Sequence, residues 1–201
     1  MSNKPHEIAE LIEGANLYPY RLSTKVLQDF YMAEIEPNAY IFELENGDTI
    51  NLIFNKENFC HLIGLSYFGY NGMSGWNKLD SNPKKISNFS RLPNYQRQQY
   101  RILNFNKLAN VLKNPNIYIY KASLRARLNY KSDYFAVIND GTRYYKLGIG
   151  TAPNSLNYGE TFLVSQISAP DNQEVDPSSL INIINKEVYL KSTWLENSID
   201  K

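Results

Sequence analysis

Two histidines, one cysteine and a long cationic run are the residues of this sequence best suited to chemistry. Histidine exchanges protons near neutral pH. His61 lies inside Asn58-Phe59-Cys60-His61-Leu62-Ile63-Gly64-Leu65, on a predicted short helix. His6 stands near the N-terminus, where fraying is expected. Taken alone, a helical histidine more often packs or caps than reacts. Cys60 and His61 do not form a nucleophile pair, because adjacent helical residues point about 100° apart. Cys60 sits in an apolar run and reads as a small core residue. A structural zinc site needs four His or Cys ligands as a rule, which this composition nearly excludes. A lone cysteine also rules out an intrachain disulfide and fits a reducing compartment. Gly148-Ile149-Gly150 lacks the third glycine and the following helix of a phosphate-binding motif. Glu43 and Glu45 read as the solvated side of a strand. No metal and no cofactor is expected.

The cations are segregated. Residues 81–132 carry 11 of the 21 Lys and Arg side chains and none of the 20 acids, which leaves the rest of the chain at −10. Phe89, Tyr95, Tyr100, Phe105, Tyr118, Tyr120 and Tyr130 are interleaved with them. Cations neutralise phosphates and aromatic rings stack on bases, so the window suits a flexible polyanion such as RNA. The alternative is a solvated stretch whose cations pair with the acidic termini.

These residues need a scaffold. Residues 6–13 are predicted as a short amphipathic helix. A second follows, capped by Ser23 and closed by Pro37. Residues 39–45 and 49–54 alternate as a hairpin turned at Asn46-Gly47. Asn55 caps the helix that carries His61, and Gly64 ends it. Residues 66–84, with Gly69, Gly72 and Gly75, read as a long loop. A single helix is expected from Pro93 to about Lys113, with Ile102, Phe105, Ala109 and Leu112 buried and with Arg97 and Arg101 sharing an outward face. Strands are expected at 117–122, 133–139, 143–149 and 160–168, with a turn at Asp140-Gly141. Asp176-Pro177 opens a last helix bearing Leu180, Ile181, Ile183 and Ile184. The fold class is α+β: N-terminal helices packed on a mainly antiparallel sheet of four to six strands. The expected domains are an N-terminal helical segment (1–37), a central domain (38–170) and a C-terminal helical extension (171–201). No run is long and apolar enough for a membrane helix, and no secretory signal is read.

Phe54-x-x-Glu57-Asn58-Phe59-x-His61-Leu62-x-Gly64-Leu65, directly after a hairpin, resembles the F-x-H-L-x-G-L signature of a phage-associated nuclease-like family. That family is the fourth phage-encoded branch of the barnase–EndoU–colicin–RelE (BECR) superfamily. Tyr120-Lys121-Ala122-Ser123 resembles its basic strand. Tyr158-Gly159-Glu160-Thr161-Phe162 resembles its late strand motif. The resemblance covers roughly residues 20–170. It implies metal-independent RNA cleavage by 2′-OH attack, leaving a cyclic phosphate. His61 would be the acid or base, Lys121 and Arg125 the phosphate clamps. Thr161 would donate to a phosphate oxygen, and Tyr158 would orient or stack. With no second ordered histidine expected, the complementary group falls to Lys, Tyr or Glu160. Arg91, Arg97, Arg101, Tyr120, Ser123 and Arg127 would hold the RNA. Three readings stay open: a cytoplasmic ribonuclease acting as toxin or anti-phage effector, with an antitoxin or immunity protein as partner; a silent nucleic-acid-binding module; or a phage structural protein.

Overall fold

In the computed structural model, residues 4–120, 131–153, 156–169, 172 and 175–199 are described. The chain divides into two compact units. One comprises residues 1–36 and 55–109, the other residues 37–54 and 110–201.

The first unit is helical. It contains α1 (Ile8–Ile12), α2 (Thr24–Glu34), α3 (Lys56–Leu62), α4 (Gly72–Ser81) and α5 (Tyr95–Leu103). The helix α6 (Lys107–Lys113) starts here and runs into the second unit. The Ser23 hydroxyl accepts from the Val26 amide and starts α2, as its sequence predicts. An aromatic cluster forms the centre. Phe59 meets Tyr31, Trp76 and Phe105 edge-on at ring-centre distances of 5.4, 5.2 and 5.7 Å. The Tyr31 hydroxyl finds a partner in the Asn55 carbonyl at 2.7 Å, as a buried phenol requires.

Three expectations change here. The stretch expected to be a loop holds α4, whose Trp76 and Leu79 are buried three residues apart. Its Gly75 serves packing rather than a turn. A Cβ on Gly75 would meet the Tyr70 carbonyl carbon at 2.6 Å and Cys60 Sγ at 3.1 Å. The long helix from residue 93 is broken at Asn104-Phe105-Asn106 into α5 and α6. The Asn106 side chain there donates to the Ala15 carbonyl at 3.0 Å. Far from frayed, His6 is 2% exposed. Its Nδ1 lies 2.9 Å from Glu10 Oε2, its Nε2 accepts from the Tyr18 amide, and its ring stacks on Tyr18.

The second unit is built on an eight-stranded sheet of order β7-β3-β4-β5-β6-β2-β1-β8. The strands are β1 (Asn38–Leu44), β2 (Thr49–Ile53), β3 (Asn116–Ile119), β4 (Tyr134–Asn139), β5 (Arg143–Thr151), β6 (Asn157–Gln166), β7 (Leu180–Ile181) and β8 (Ile183–Leu190). Every pairing is antiparallel except β2 with β6. Asn157 secures that parallel junction: its Oδ1 accepts from the Asn51 amide at 2.8 Å and its Nδ2 donates to Thr151 Oγ1. The α+β class holds, and the strand count exceeds the expected four to six. The surplus comes from β7 and β8, where a helix was expected. Asp176 does cap a turn, but only the 3-10 segment Pro177–Ser179. The β-branched run beyond it pairs with β3 and β1. Helix α7 (Lys191–Ile199) follows. Among the described residues, no helix is long and apolar enough to cross a membrane.

The β4–β5 turn sits where Asp140-Gly141 places it, with Gly141 at φ 86°. The Asp140 carboxylate accepts from the Tyr145 hydroxyl at 2.6 Å, and from the Thr142 amide, the Thr142 hydroxyl and the Arg143 amide. Tyr145 foremost, then the Thr142 and Arg143 donors, hold the Asp140 carboxyl well below the usual carboxylate range. Burial first, then Asp140, pushes Tyr145 up to about 12. A depressed carboxyl contributes stability above its unfolded value, about 3.9, and loses it as pH falls through the folded value. Asp140→Ala is therefore expected to cost about 1 kcal/mol at neutral pH. The gap to the wild type should narrow below about pH 4. Urea unfolding at pH 7 and pH 3 measures both.

Candidate functional site

The His61 motif separates into buried anchors and one surface group. Phe59, Cys60, Leu62, Ile63 and Leu65 are each fully buried, whereas His61 is exposed. Helix geometry explains the split. Phe59 and Leu62, three residues apart, and Ile63, four from Phe59, lie on one stripe, and His61 falls on the opposite side. Asn55 and Asn58 cap the start of α3 reciprocally. Gly64, at φ 82°, turns the chain at its end. Burial pushes the Cys60 thiol up to about 12, which removes thiolate chemistry from this helix. The motif thus presents an imidazole to solvent on a rigid base.

In the second unit, β5 and β6 bring a short set of polar side chains together. Gly148 pairs with Thr161 and Gly150 with Tyr158. The register shifts between Gly148 and Ile149, and Glu160 is the extra residue on β6. In a regular strand, residues three apart point to opposite faces. The bulge puts Tyr158 and Thr161 on the same one. The two glycines make room. A Cβ on Gly150 would meet Tyr158 Cζ at 2.8 Å. One on Gly148 would meet Ser132 Oγ at 2.4 Å and the Thr161 methyl at 3.0 Å. The Glu160 carboxylate accepts from the Lys131 amide at 2.8 Å and from the Ser132 hydroxyl. Burial, then the Glu160 and Asp133 carboxylates, raises the Tyr158 phenol, so it acts as a proton-bearing donor at neutral pH. Tyr158 is half-buried and Thr161 is 5% exposed. Gly148-Ile149-Gly150, unremarkable as a phosphate loop, is the clearance this face needs. Ser132, Asp133 and Lys146 belong to none of the sequence motifs. Lys146 is 3% exposed and donates to Asn172 Oδ1 at 3.1 Å.

The family described as phage-Barnase-EndoU-ColicinE5/D-RelE like nuclease 4 matches residues 27–193. The chain belongs to this family. No curated protein and no solved structure matches it. The family match begins within α2 and ends in α7, so it takes in His61, the β5–β6 face and all eight strands.

Among the described residues of this nuclease-family chain, the cations of the window differ in exposure. Arg91 and Arg97 are exposed. Arg101, expected beside Arg97 on the outer face, is 8% exposed, and its Nη1 donates to the His61 carbonyl at 3.3 Å. It lies on the buried stripe of α5 with Tyr95, Gln98 and Ile102. Lys107 likewise turns inward and donates to the Gly14 carbonyl at 3.0 Å. Tyr120, expected among the RNA-holding residues, is 2% exposed and packs edge-on against Phe135 at 5.1 Å. Its amide continues the strand ladder to the Asp133 carbonyl, which turns the ring into the core. Phe89, Tyr95 and Phe105 are also core residues. Among the described aromatics of the window, Tyr100 is exposed. Lys121, Ser123, Arg125 and Arg127 lie outside the described residues.

Proposed function

We propose that this chain is a ribonuclease that cleaves RNA through its own 2′-hydroxyl and needs no metal ion. The observation that carries the proposal is His61: within a nuclease family, it is the one exposed side chain of a motif otherwise buried from Phe59 to Leu65. A base takes the 2′-OH proton, O2′ attacks the adjacent phosphorus, and the bond to the 5′-oxygen breaks. An acid protonates that oxygen. The products are a 2′,3′-cyclic phosphate and a 5′-hydroxyl end. His61 serves as the acid. The resemblance leaves the base to Lys, Tyr or Glu160, and of these Glu160 accepts from the Lys131 amide and the Ser132 hydroxyl. Tyr158, kept protonated, orients the phosphate by donation, and the resemblance assigns a second donation to Thr161. Lys121 and Arg125 are assigned to the phosphate charge by family resemblance. Arg91, Arg97 and Tyr100 hold the strand. A toxin or anti-phage role in the cytoplasm, neutralised by a cognate antitoxin or immunity protein, belongs to the same proposal.

The test is product chemistry. Incubated with total RNA in excess EDTA, the purified chain is expected to leave cyclic-phosphate and 5′-hydroxyl ends. Binding that weakens with salt, without any cut, would instead mark a silent nucleic-acid-binding module. Absence of both would favour a structural role.

A further inference from the structure

Helix α5 has two working faces, and the buried one ends on the histidine helix. On its outer side stand Gln96, Arg97 and Tyr100. On its inner side stand Gln98 and Arg101, 7% and 8% exposed. Arg101 Nη1 donates to the His61 carbonyl at 3.3 Å, an oxygen that also receives the Gly64 amide at 3.1 Å. Carbonyls in the last turn of a helix lack partners within it, and a cation there also complements the helix dipole. The packing at this point is backbone-close. A Cβ on Gly64 would lie 2.6 Å from Gln98 Oε1 and 3.1 Å from Arg101 Cδ. The end of α3 is therefore set from two sides: Phe59 and Leu62 anchor it in the core, and Arg101 grips the carbonyl of the very residue whose side chain is exposed.

We infer that Arg101 is a positioning residue for His61, and that α5 couples the grip on RNA to the placement of the imidazole. The inference rests on the ribonuclease reading for its consequence but not for its geometry. The backbone of residue 61 is the base from which its side chain reaches the phosphate. A shift of about 1 Å in a reacting group costs up to about 100-fold in rate. A planar guanidinium holds a carbonyl along fixed directions, which a lysine ammonium does only in part.

The experiment compares Arg101→Met, Arg101→Lys and Arg97→Gln with the wild-type chain on a labelled single-stranded RNA. Arg101→Met keeps the buried stem and removes the donor. It is expected to lower kcat roughly 10- to 100-fold with KM within about threefold, and Arg101→Lys should restore part of the loss. Arg97→Gln should raise KM and leave kcat in place. Side-chain NMR couplings of 13C-labelled His61 report the same idea without any reaction. The wild type is expected to show one χ1 rotamer, and Arg101→Met an averaged set. Wild-type kcat in Arg101→Met, a loss confined to KM, or unchanged His61 couplings would overturn the inference. Should Arg101→Met not fold, the couplings and kcat of Arg101→Lys decide in the same sense. If the wild type cuts no RNA, the ribonuclease reading fails, and the couplings alone decide the role of Arg101.

Discussion

His61→Ala is expected to lower the rate of RNA cleavage by about 100- to 10,000-fold, the contribution of one positioned acid or base. Folding should hardly change. The side chain is exposed, and its neighbours Phe59, Cys60, Leu62 and Ile63 carry the burial. A surface substitution of this kind alters stability by about 0.5 kcal/mol or less. Under the proposed reading RNA binding should survive, because Arg91, Arg97 and Tyr100 are untouched. The second half of the experiment concerns Glu160. If His61 and Glu160 serve one reaction as acid and base, Glu160→Gln alone should be comparably severe. The double variant should then be little worse than either single one, since groups that act as a unit are strongly non-additive. Fully multiplicative losses would mean that the two residues act in separate steps. Wild-type cleavage by His61→Ala would move the chemistry elsewhere on the chain. Steady-state kinetics with a defined RNA, alongside thermal unfolding of each variant, separates these outcomes.

What the sequence revealed and what it hid follow the range of the interactions involved. Asn46-Gly47 and Asp140-Gly141 are local turn signals, and both hairpins form where they stand. The helix of His61 was equally readable, because its caps and its apolar stripe lie within nine residues. Arg101 was not. Residues four apart on a helix differ by about 40° in direction, so Arg97 and Arg101 straddle the edge of a buried stripe. Which side each falls on depends on where α3 packs. The C-terminal isoleucines fit a helical spacing as well as a strand, and only pairing with β1 decides between them. His6 looked frayed because the groups that enclose it, Tyr18 and Arg21, come 12 and 15 residues later. The β6 bulge had no sequence mark of its own. Without it, Tyr158 and Thr161 would face opposite ways.

The same motif that carries His61 should also contain the most stability-sensitive position of its unit. Phe59→Ala is expected to destabilise the chain by about 3–5 kcal/mol. Phe59 is fully buried, and three other rings close on it: Tyr31, Trp76 and Phe105. Truncation removes the apolar burial and the edge-to-face contacts, and leaves a cavity that those rings cannot easily collapse into. Tyr31 is tied to the Asn55 carbonyl, and the Trp76 backbone is held by Gln28. Total stabilities are about 5–15 kcal/mol, so the loss is a large fraction of the whole. At about 2–4 °C per kcal/mol for a chain of this size, Tm should fall by roughly 6–20 °C. Phe59→Leu keeps most of the volume and should cost about 1–2 kcal/mol. Thermal and urea unfolding of both variants measure the difference. A Phe59→Ala cost below about 1 kcal/mol would show that the cluster relaxes freely. His61 would then stand on a yielding base, and the rigid placement assigned to it would have to come from Arg101 alone.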